Sequence, residues 1–339
     1  MRVPDVPERR VPRGRWGATW LVAVAFAAGS VIGLELFVRG RGYQPSLKDD
    51  EYAWAWQRGR VSDGSHRTIA VLGASRIQLA FSAAALREAL PGWRAVQLAV
   101  NGTYPMGALR DLAADPAFRG VALVDTTVGG FYRETWASQD AQVTAYRRRW
   151  RAPGAMIERR LATFVQMRLA ILAIGGTRLL AALAETGEFP RPPYVVTAAD
   201  RTRFADYALA DVAALRARRG GRVEAGEDSD EEAAQWLAEA LELEASVAAI
   251  QARGGHVVYL RMPTCDERWE TDERTRPKAR FWDRLAAKTG AVAIHFRDEP
   301  TLASFACPDG SHIASKDGPR FTRALIEILV ARGVIAVAR

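Results

Sequence analysis

Residues 68–76 read TIAVLGASR. Thr68–Leu72 is a short β-branched and apolar run that stops at Gly73, and a small Ala74 leads into Ser75. Such a run predicts a strand buried on both faces. The same signal recurs outward along the chain. Ala95–Val100 (AVQLAV) ends at Asn101-Gly102, Val121–Asp125 (VALVD) follows, then His256–Arg261 (HVVYLR), and a weaker run at Ala291–His295. Segments of helical spacing separate them. These are Ala83–Leu90, about Met106–Ala114, a helix entered from the acidic stretch Glu227–Glu232 and stopped near Arg253 by Gly254-Gly255, one around Lys278–Lys288, and one from about Pro319 to Arg332. Apolar strands alternating with helices predict an α/β domain built on a parallel sheet with both faces covered.

The chain has 339 residues, 49% of them hydrophobic and 25% charged, which is ordinary for a globular protein that buries a large core. The net charge of +8 raises nucleic-acid binding as a function class. The arginines are scattered, however, and no basic helix or aromatic–basic recognition motif occurs, so no nucleic-acid partner is expected. Clusters such as Arg147, Arg148, Arg149 and Arg151 read as a solvated face, or as a face against anionic lipid or glycan. No Gly-x-Gly-x-x-Gly, phosphate-binding loop or metal-ligand spacing is present, so no cofactor and no metal are expected. Two cysteines, Cys265 and Cys307, exclude a cysteine-rich scaffold. They form one disulfide if the domain is exported, and are ordinary small apolar residues otherwise.

The N-terminal region bears on compartment. Trp16–Val38 is apolar apart from Glu35, and at about 1.5 Å per residue it spans a hydrocarbon core of roughly 30 Å. Arg2, Arg9, Arg10, Arg13 and Arg15 precede it, whereas Arg39, Arg41 and Lys48 are diluted by Asp49, Asp50 and Glu51. That bias orients the N-terminus to the cytoplasm. The expected order is a cytoplasmic tail at 1–15, a single-pass signal anchor at 16–38, a juxtamembrane linker at 39–66 and an extracytoplasmic (periplasmic) domain at 67–339. A cleaved signal peptide with small residues around Ala27–Ser30 is the alternative. The domain carries a helical insertion at about 150–225. Within it Leu161–Ile174 is apolar but interrupted by Arg168, and reads as a buried helix or one lying on the membrane surface.

Three points fall where parallel sheets gather ligands, at carboxyl ends of strands or in a loop before a helix. Gly73-Ala74-Ser75-Arg76 presents a hydroxyl at a helix start, where backbone N–H groups stabilise negative charge. Asn101-Gly102 lets backbone approach a reacting oxygen. Pro308-Asp309-Gly310-Ser311-His312 offers a carboxylate and an imidazole from one loop. His312 would take the Ser75 proton and Asp309 would orient the ring. Arg76 and Arg261, at strand ends, are candidates to hold an anionic group of a substrate, or are paired structurally. His256 and His295 read as structural.

These blocks resemble the SGNH/GDSL hydrolase-like superfamily. VLGASRIQLAF is similar to its first block, with Ser75 as nucleophile. QLAVNGTYPMGALRDL is similar to its second, with Gly102 as oxyanion donor beside the Ser75 amide, and PDGSHIASKDGPRF to its last, with Asp309 and His312. The resemblance spans roughly residues 67–332. It implies a flavodoxin-like three-layer parallel sheet of the SGNH type. The nearest flavour is the anchored, extracytoplasmic group similar to alginate O-acetyltransferase-like and D-alanyl-transfer proteins. That implies a serine esterase or O-acyltransferase acting on an acylated envelope glycan, alongside a membrane O-acyltransferase. Ala74 replaces the family's Asp. More consequentially, VDTTVGGFY carries no third-block Asn, and Thr126, Thr127 or Asn101 are the candidates to serve in its place. The missing Asn also opens a second reading, a non-catalytic anchored partner of a membrane acyltransferase or a glycan-binding protein.

Overall fold

The computed structural model describes residues 14–149, 152–220 and 229–336. The basic tail residues Arg2, Arg9, Arg10 and Arg13, together with Arg151, Glu227 and Asp228, lie outside the described residues.

Five strands form one parallel sheet: β1 (Thr68–Leu72), β2 (Arg94–Gln97), β3 (Val121–Asp125), β6 (His256–Arg261) and β7 (Val292–His295). Their order is β2-β1-β3-β6-β7. Counting only the strands of this sheet, that is the flavodoxin-like doubly wound order, whose winding reverses between β1 and β3. A ligand crevice is therefore expected at the carboxyl ends of those two strands. The remaining strands, β4 (Val195–Thr197) and β5 (Arg203–Ala205), pair antiparallel as a separate hairpin.

Alternation along each strand divides the core into two layers. Ala70, Leu72, Ala122, Val124, Val257 and Tyr259 face one side, where they pack with α2 (Glu51–Arg58), α5 (Met106–Ala113), α10 (Asp230–Leu241), α11 (Glu244–Gln251) and α13 (Trp282–Ala286). Ile69, Val71, Val121, Leu123, Val258 and Leu260 face the other, against α3 (Ser75–Ala80), α4 (Ala83–Ala89), α14 (Pro300–Ala303) and α15 (Gly318–Ala331). Both faces are covered, which is why the strands carry no polar alternation.

Helix starts follow their caps. Ser82 accepts from the Ala85 amide at 3.2 Å, and Ser229 accepts from Glu232 at 3.0 Å, with Asp230, Glu231 and Glu232 in the first turn where the dipole favours them. The helix expected to run on to Arg253 breaks near Glu242–Leu243 into α10 and α11. α12 (Asp266–Thr275) is almost wholly polar, with one buried residue, and has no apolar period to betray it.

Residues 39–66, read as a linker, are more than that. Asp50 caps α2 by accepting from Ala53 at 2.9 Å. Trp54 is fully buried in the core and donates its indole N–H to the Leu98 carbonyl at 2.7 Å. Arg58, also buried, pairs with Asp111 at 2.7 Å and Asp115 at 3.0 Å. A large aromatic and a paired guanidinium tie this segment to the domain.

The N-terminal helix α1 (Trp16–Gly40) is long and apolar enough to cross a membrane, and most of its side chains are exposed. Its last turn is packed. Glu35 accepts from the Ala170 and Ile171 amides at 2.8 and 3.0 Å and from Arg39 at 2.6 Å. The helix expected over Leu161–Ile174, either buried or lying on the membrane surface, is instead the end of α7 (Pro153–Gln166) and a 3₁₀ turn, Ala170–Ala173. Leu161, Phe164 and Leu172 are exposed on it. Between β3 and β6 the insertion also holds α6 (Asp140–Arg149), α8 (Gly176–Thr186), the β4–β5 hairpin and α9 (Val212–Gly220). Its hairpin was not anticipated, because each strand has only three residues.

Candidate active site

β1 delivers the chain to the crevice, and Gly73 makes the exit possible. Its φ is +147°, and a Cβ there would sit 2.9 Å from the Asp125 Cβ and 3.0 Å from the Asp125 carbonyl oxygen on β3. Only glycine tolerates both constraints. Ala74 is extended, and Ser75 opens α3.

His312 Nε2 lies 2.7 Å from Ser75 Oγ, across 237 residues of chain. On the other side of the ring, Nδ1 stands 3.2 and 3.3 Å from the two Asp309 oxygens. A carboxylate beside Nδ1 fixes the proton there, so Nε2 accepts from the Ser75 hydroxyl. Asp309 and His312 are buried. The loop is held by its own backbone. Asp309 Oδ1 accepts from the Ser311 and His312 amides at 3.0 and 2.9 Å, and Gly310, at φ +78°, donates to the Cys307 carbonyl at 3.0 Å.

Cys265 and Cys307 are joined by a disulfide, with Cα atoms 5.8 Å apart. Beside the bond, the Cys265 amide donates to the Gly310 carbonyl at 3.0 Å. The start of α12 is thus fastened to the loop that carries Asp309 and His312.

Residues of the insertion close over the same loop. Tyr207 donates to Asp309 Oδ2 at 2.7 Å, and burial pushes the phenol up to about 12, so it stays a donor. From α9, Arg219 pairs with Asp309 and Arg216 donates to the Pro308 carbonyl at 2.7 Å. These three residues carry no motif. They lie about a hundred positions from the loop, and only the fold brings them to it. His312 is held well below the usual histidine value, first by burial and then by Arg219, Arg76 and Arg203. The ring is therefore neutral at ordinary pH and able to accept a proton.

Ser75 and His312 open into a cleft of about 720 Å³. Asn101, Gly102 and Thr127 line it. Gly102 has φ +75° at an exposed turn, and Asn101 is exposed beside it. Thr127 Oγ1 is buried and has no hydrogen-bond partner among the described residues, whereas the Thr126 hydroxyl donates to the Thr127 carbonyl at 3.1 Å. Arg76 also lines the cleft and donates to Ser311 Oγ at 3.2 Å. Arg261 does not line it. That side chain is buried, bonded to Asp272 at 2.5 Å and to the Met262 carbonyl at 2.9 Å, beside a separate cavity of about 30 Å³ that His295 shares. Of the two readings its strand-end position allows, holding a substrate anion or pairing structurally, the second is observed, with Asp272 of α12 as the partner.

Asp125, at the end of β3, lines the cleft. Burial pushes it up to about 6 against the pull of Arg76 and Arg261. Its Oδ1 has no hydrogen-bond partner among the described residues.

No protein-family model matches this chain, and neither does any curated protein. Among solved structures, the crystal structure of TesA is similar at 15% identity, covering 79% of this chain and 99% of that chain with a TM-score of 0.30.

Proposed function

We propose that this chain is a membrane-anchored serine esterase or O-acyltransferase acting on an acylated envelope glycan or a similar ester. The observation that carries the reading is the line Ser75 Oγ–His312 Nε2 at 2.7 Å with Asp309 behind the ring. Ser75 Oγ attacks the acyl carbonyl carbon while His312 Nε2 takes its proton. The carbonyl oxygen becomes an oxyanion held by the Ser75 and Gly102 amides, with Asn101 beside them. Collapse breaks the ester C–O bond, and His312 returns the proton to the leaving alkoxide. The acyl-enzyme is then attacked by water, giving a hydrolase, or by a sugar hydroxyl, giving a transferase, and His312 again moves the proton. Among Thr126, Thr127 and Asn101, the unpartnered Thr127 hydroxyl in the cleft lining supports Thr127 as the replacement for the third-block Asn. One such donor contributes about 2.7–4 kcal/mol to a transition state.

The setting follows from α1 and the sequence around it. The arginine-rich tail favours a cytoplasmic N-terminus, which puts α1 across the cytoplasmic membrane and the sheet domain in the periplasm. A disulfide suits that compartment. Exposed apolar side chains on α7, the Ala170–Ala173 turn and α8, among them Leu161, Phe164 and Leu180, lie on segments next to the end of α1 and suit a bilayer surface. The resemblance further implies a membrane O-acyltransferase as partner.

Full-length protein in detergent should turn over an acetyl ester and be labelled by a fluorophosphonate, and Ser75→Ala should lose both. Absence of labelling, with turnover equal in Ser75→Ala, rejects the enzyme. A second reading, a non-catalytic anchored partner, draws on Arg219, which already neutralises the Asp309 charge. Under it, Ser75→Ala leaves the cellular modification intact.

A further inference from the structure

β2 is an edge strand of the sheet, so no further strand donates to the backbone carbonyls along its outer side. The chain at its end is nevertheless interior: Gln97, Leu98 and Ala99 are all buried. A buried carbonyl without a donor is costly, and each of these three has one. Leu98 accepts from the Trp54 indole at 2.7 Å. Gln97 and Ala99 stand two residues apart, the repeat at which an extended chain points alike. They accept from Nη1 and Nη2 of one guanidinium, Arg201, at 2.9 Å each. The rigid guanidinium fork suits such a pair, whereas an ammonium is a single point charge.

Arg201 lies in the turn between β4 and β5 with φ +69° and is almost fully buried. A left-handed backbone is unfavourable for a residue with a Cβ and persists only where its surroundings hold it. Here they do. Arg201 Nε donates to Asp49 Oδ1 at 2.5 Å, and Gln78 Nε2 donates to Asp49 Oδ2 at 2.8 Å and to the Arg201 carbonyl at 3.2 Å. Gln78 is buried on α3, three residues after Ser75. The cluster thus has two ends. One is the helix that Ser75 opens. The other is the backbone that runs from Ala99 straight into Asn101 and Gly102 in the cleft lining. The Val100 amide donates to the Gly73 carbonyl at 3.0 Å and closes the ring from the sheet side.

We propose that Arg201 is a positioning residue of the catalytic site: held by Asp49 and Gln78, it sets the Asn101–Gly102 turn against Ser75 so that the Gly102 amide meets the oxyanion. The proposal rests on the esterase reading above, and the test separates the two. An oxyanion donor works harder in the transition state than in the bound ester. Displacing the turn therefore lowers kcat and spares KM.

Turnover of an acetyl ester is measured with full-length protein in detergent for wild type, Arg201→Gln and Asp49→Asn. Inhibition by an aryl trifluoromethyl ketone is measured alongside, because a serine hydroxyl adds to it to give a tetrahedral oxyanion. Thermal unfolding is followed on the same samples. Arg201→Gln should lose kcat by about 30- to 100-fold, the scale of a displaced oxyanion donor. Its KM should stay within about threefold, and its affinity for the ketone should fall in proportion to kcat/KM. Asp49→Asn keeps the shape of the side chain and should show the same split at about tenfold. If Arg201→Gln does not fold, Asp49→Asn decides. A folded variant whose kcat and ketone affinity stay within about twofold of wild type, whatever its loss of thermal stability, makes Arg201 structural only. That result overturns the inference and leaves the esterase. Wild type that neither turns over the ester nor is labelled at Ser75 by a fluorophosphonate removes the esterase, and this inference with it.

Discussion

Tyr207 donates its phenolic hydroxyl to Asp309 Oδ2 at 2.7 Å, joining the insertion to the loop that holds His312. The acid behind the imidazole is therefore oriented by a residue 102 positions away. Tyr207 is a positioning residue: it does not reach Ser75, and it acts through Asp309.

Tyr207→Phe removes one hydrogen bond to a carboxylate, an interaction worth about 1.5–3 kcal/mol. The kcat on an acetyl ester should fall about tenfold with KM little changed, and the acid limb of the pH profile should shift. A simultaneous loss of thermal stability with kcat intact would assign Tyr207 to packing alone.

The pH dependence of turnover should be unusual for a histidine base. In kcat/KM the acid limb reports the base of the free enzyme. Burial and three arginines hold His312 below the ordinary 6.5. Activity on a neutral ester should persist as pH falls through 6.5, with the limb lying lower. Arg219→Gln removes the strongest of the three charges and should move the limb upward. The profile is repeated in Asp125→Asn, because Asp125 itself titrates near 6. A limb at 6.5 in wild type would refute the reading of His312.

Asp125 makes an opposite, thermodynamic prediction. Its folded value, about 6, lies above the unfolded 3.8 because burial penalises the carboxylate. The native state then binds a proton first, so wild type gains stability as pH falls from about 6 to about 4 and loses it again as pH rises. Relative to Asp125→Asn the gain approaches about 3 kcal/mol. Denaturant unfolding of the two proteins between pH 7 and pH 4 measures that difference directly. Parallel curves would exclude the shift.

The Cys265–Cys307 bond closes a 42-residue separation. Chain-entropy arguments assign such a loop about 4 kcal/mol, and removal of a native disulfide commonly costs about 2–5 kcal/mol. Cys307→Ser in a Cys265→Ser background should lower stability by that order. It should also lower kcat more than KM, because the Asp309–His312 loop loses its tether. Retained kcat at reduced stability would confine the bond to a structural role.

Much of this is legible in the sequence. The strands were readable because both their faces are buried, which leaves nearly continuous apolar runs such as VALVD. The Ser75 turn and the Asp309–His312 loop were readable because each packs its chemistry into a few consecutive residues. α2 was hidden because its buried residues, Ala53, Trp54, Ala55, Gln57 and Arg58, mix small, aromatic and polar side chains with no apolar period.

Local sequence thus determined the strands and the two short blocks that meet at Ser75, since strand burial and turn chemistry are properties of neighbouring residues. Tertiary structure alone decided what surrounds them. Arg261 went to Asp272, while Tyr207 and Arg219 went to Asp309. Arg201, with φ +69° and almost no exposure, bonded Asp49 and the carbonyls of Gln97 and Ala99, pinning the hairpin to the end of β2. The reason is physical: a guanidinium pairs with whichever carboxylate the fold brings within about 3 Å, at no fixed sequence spacing.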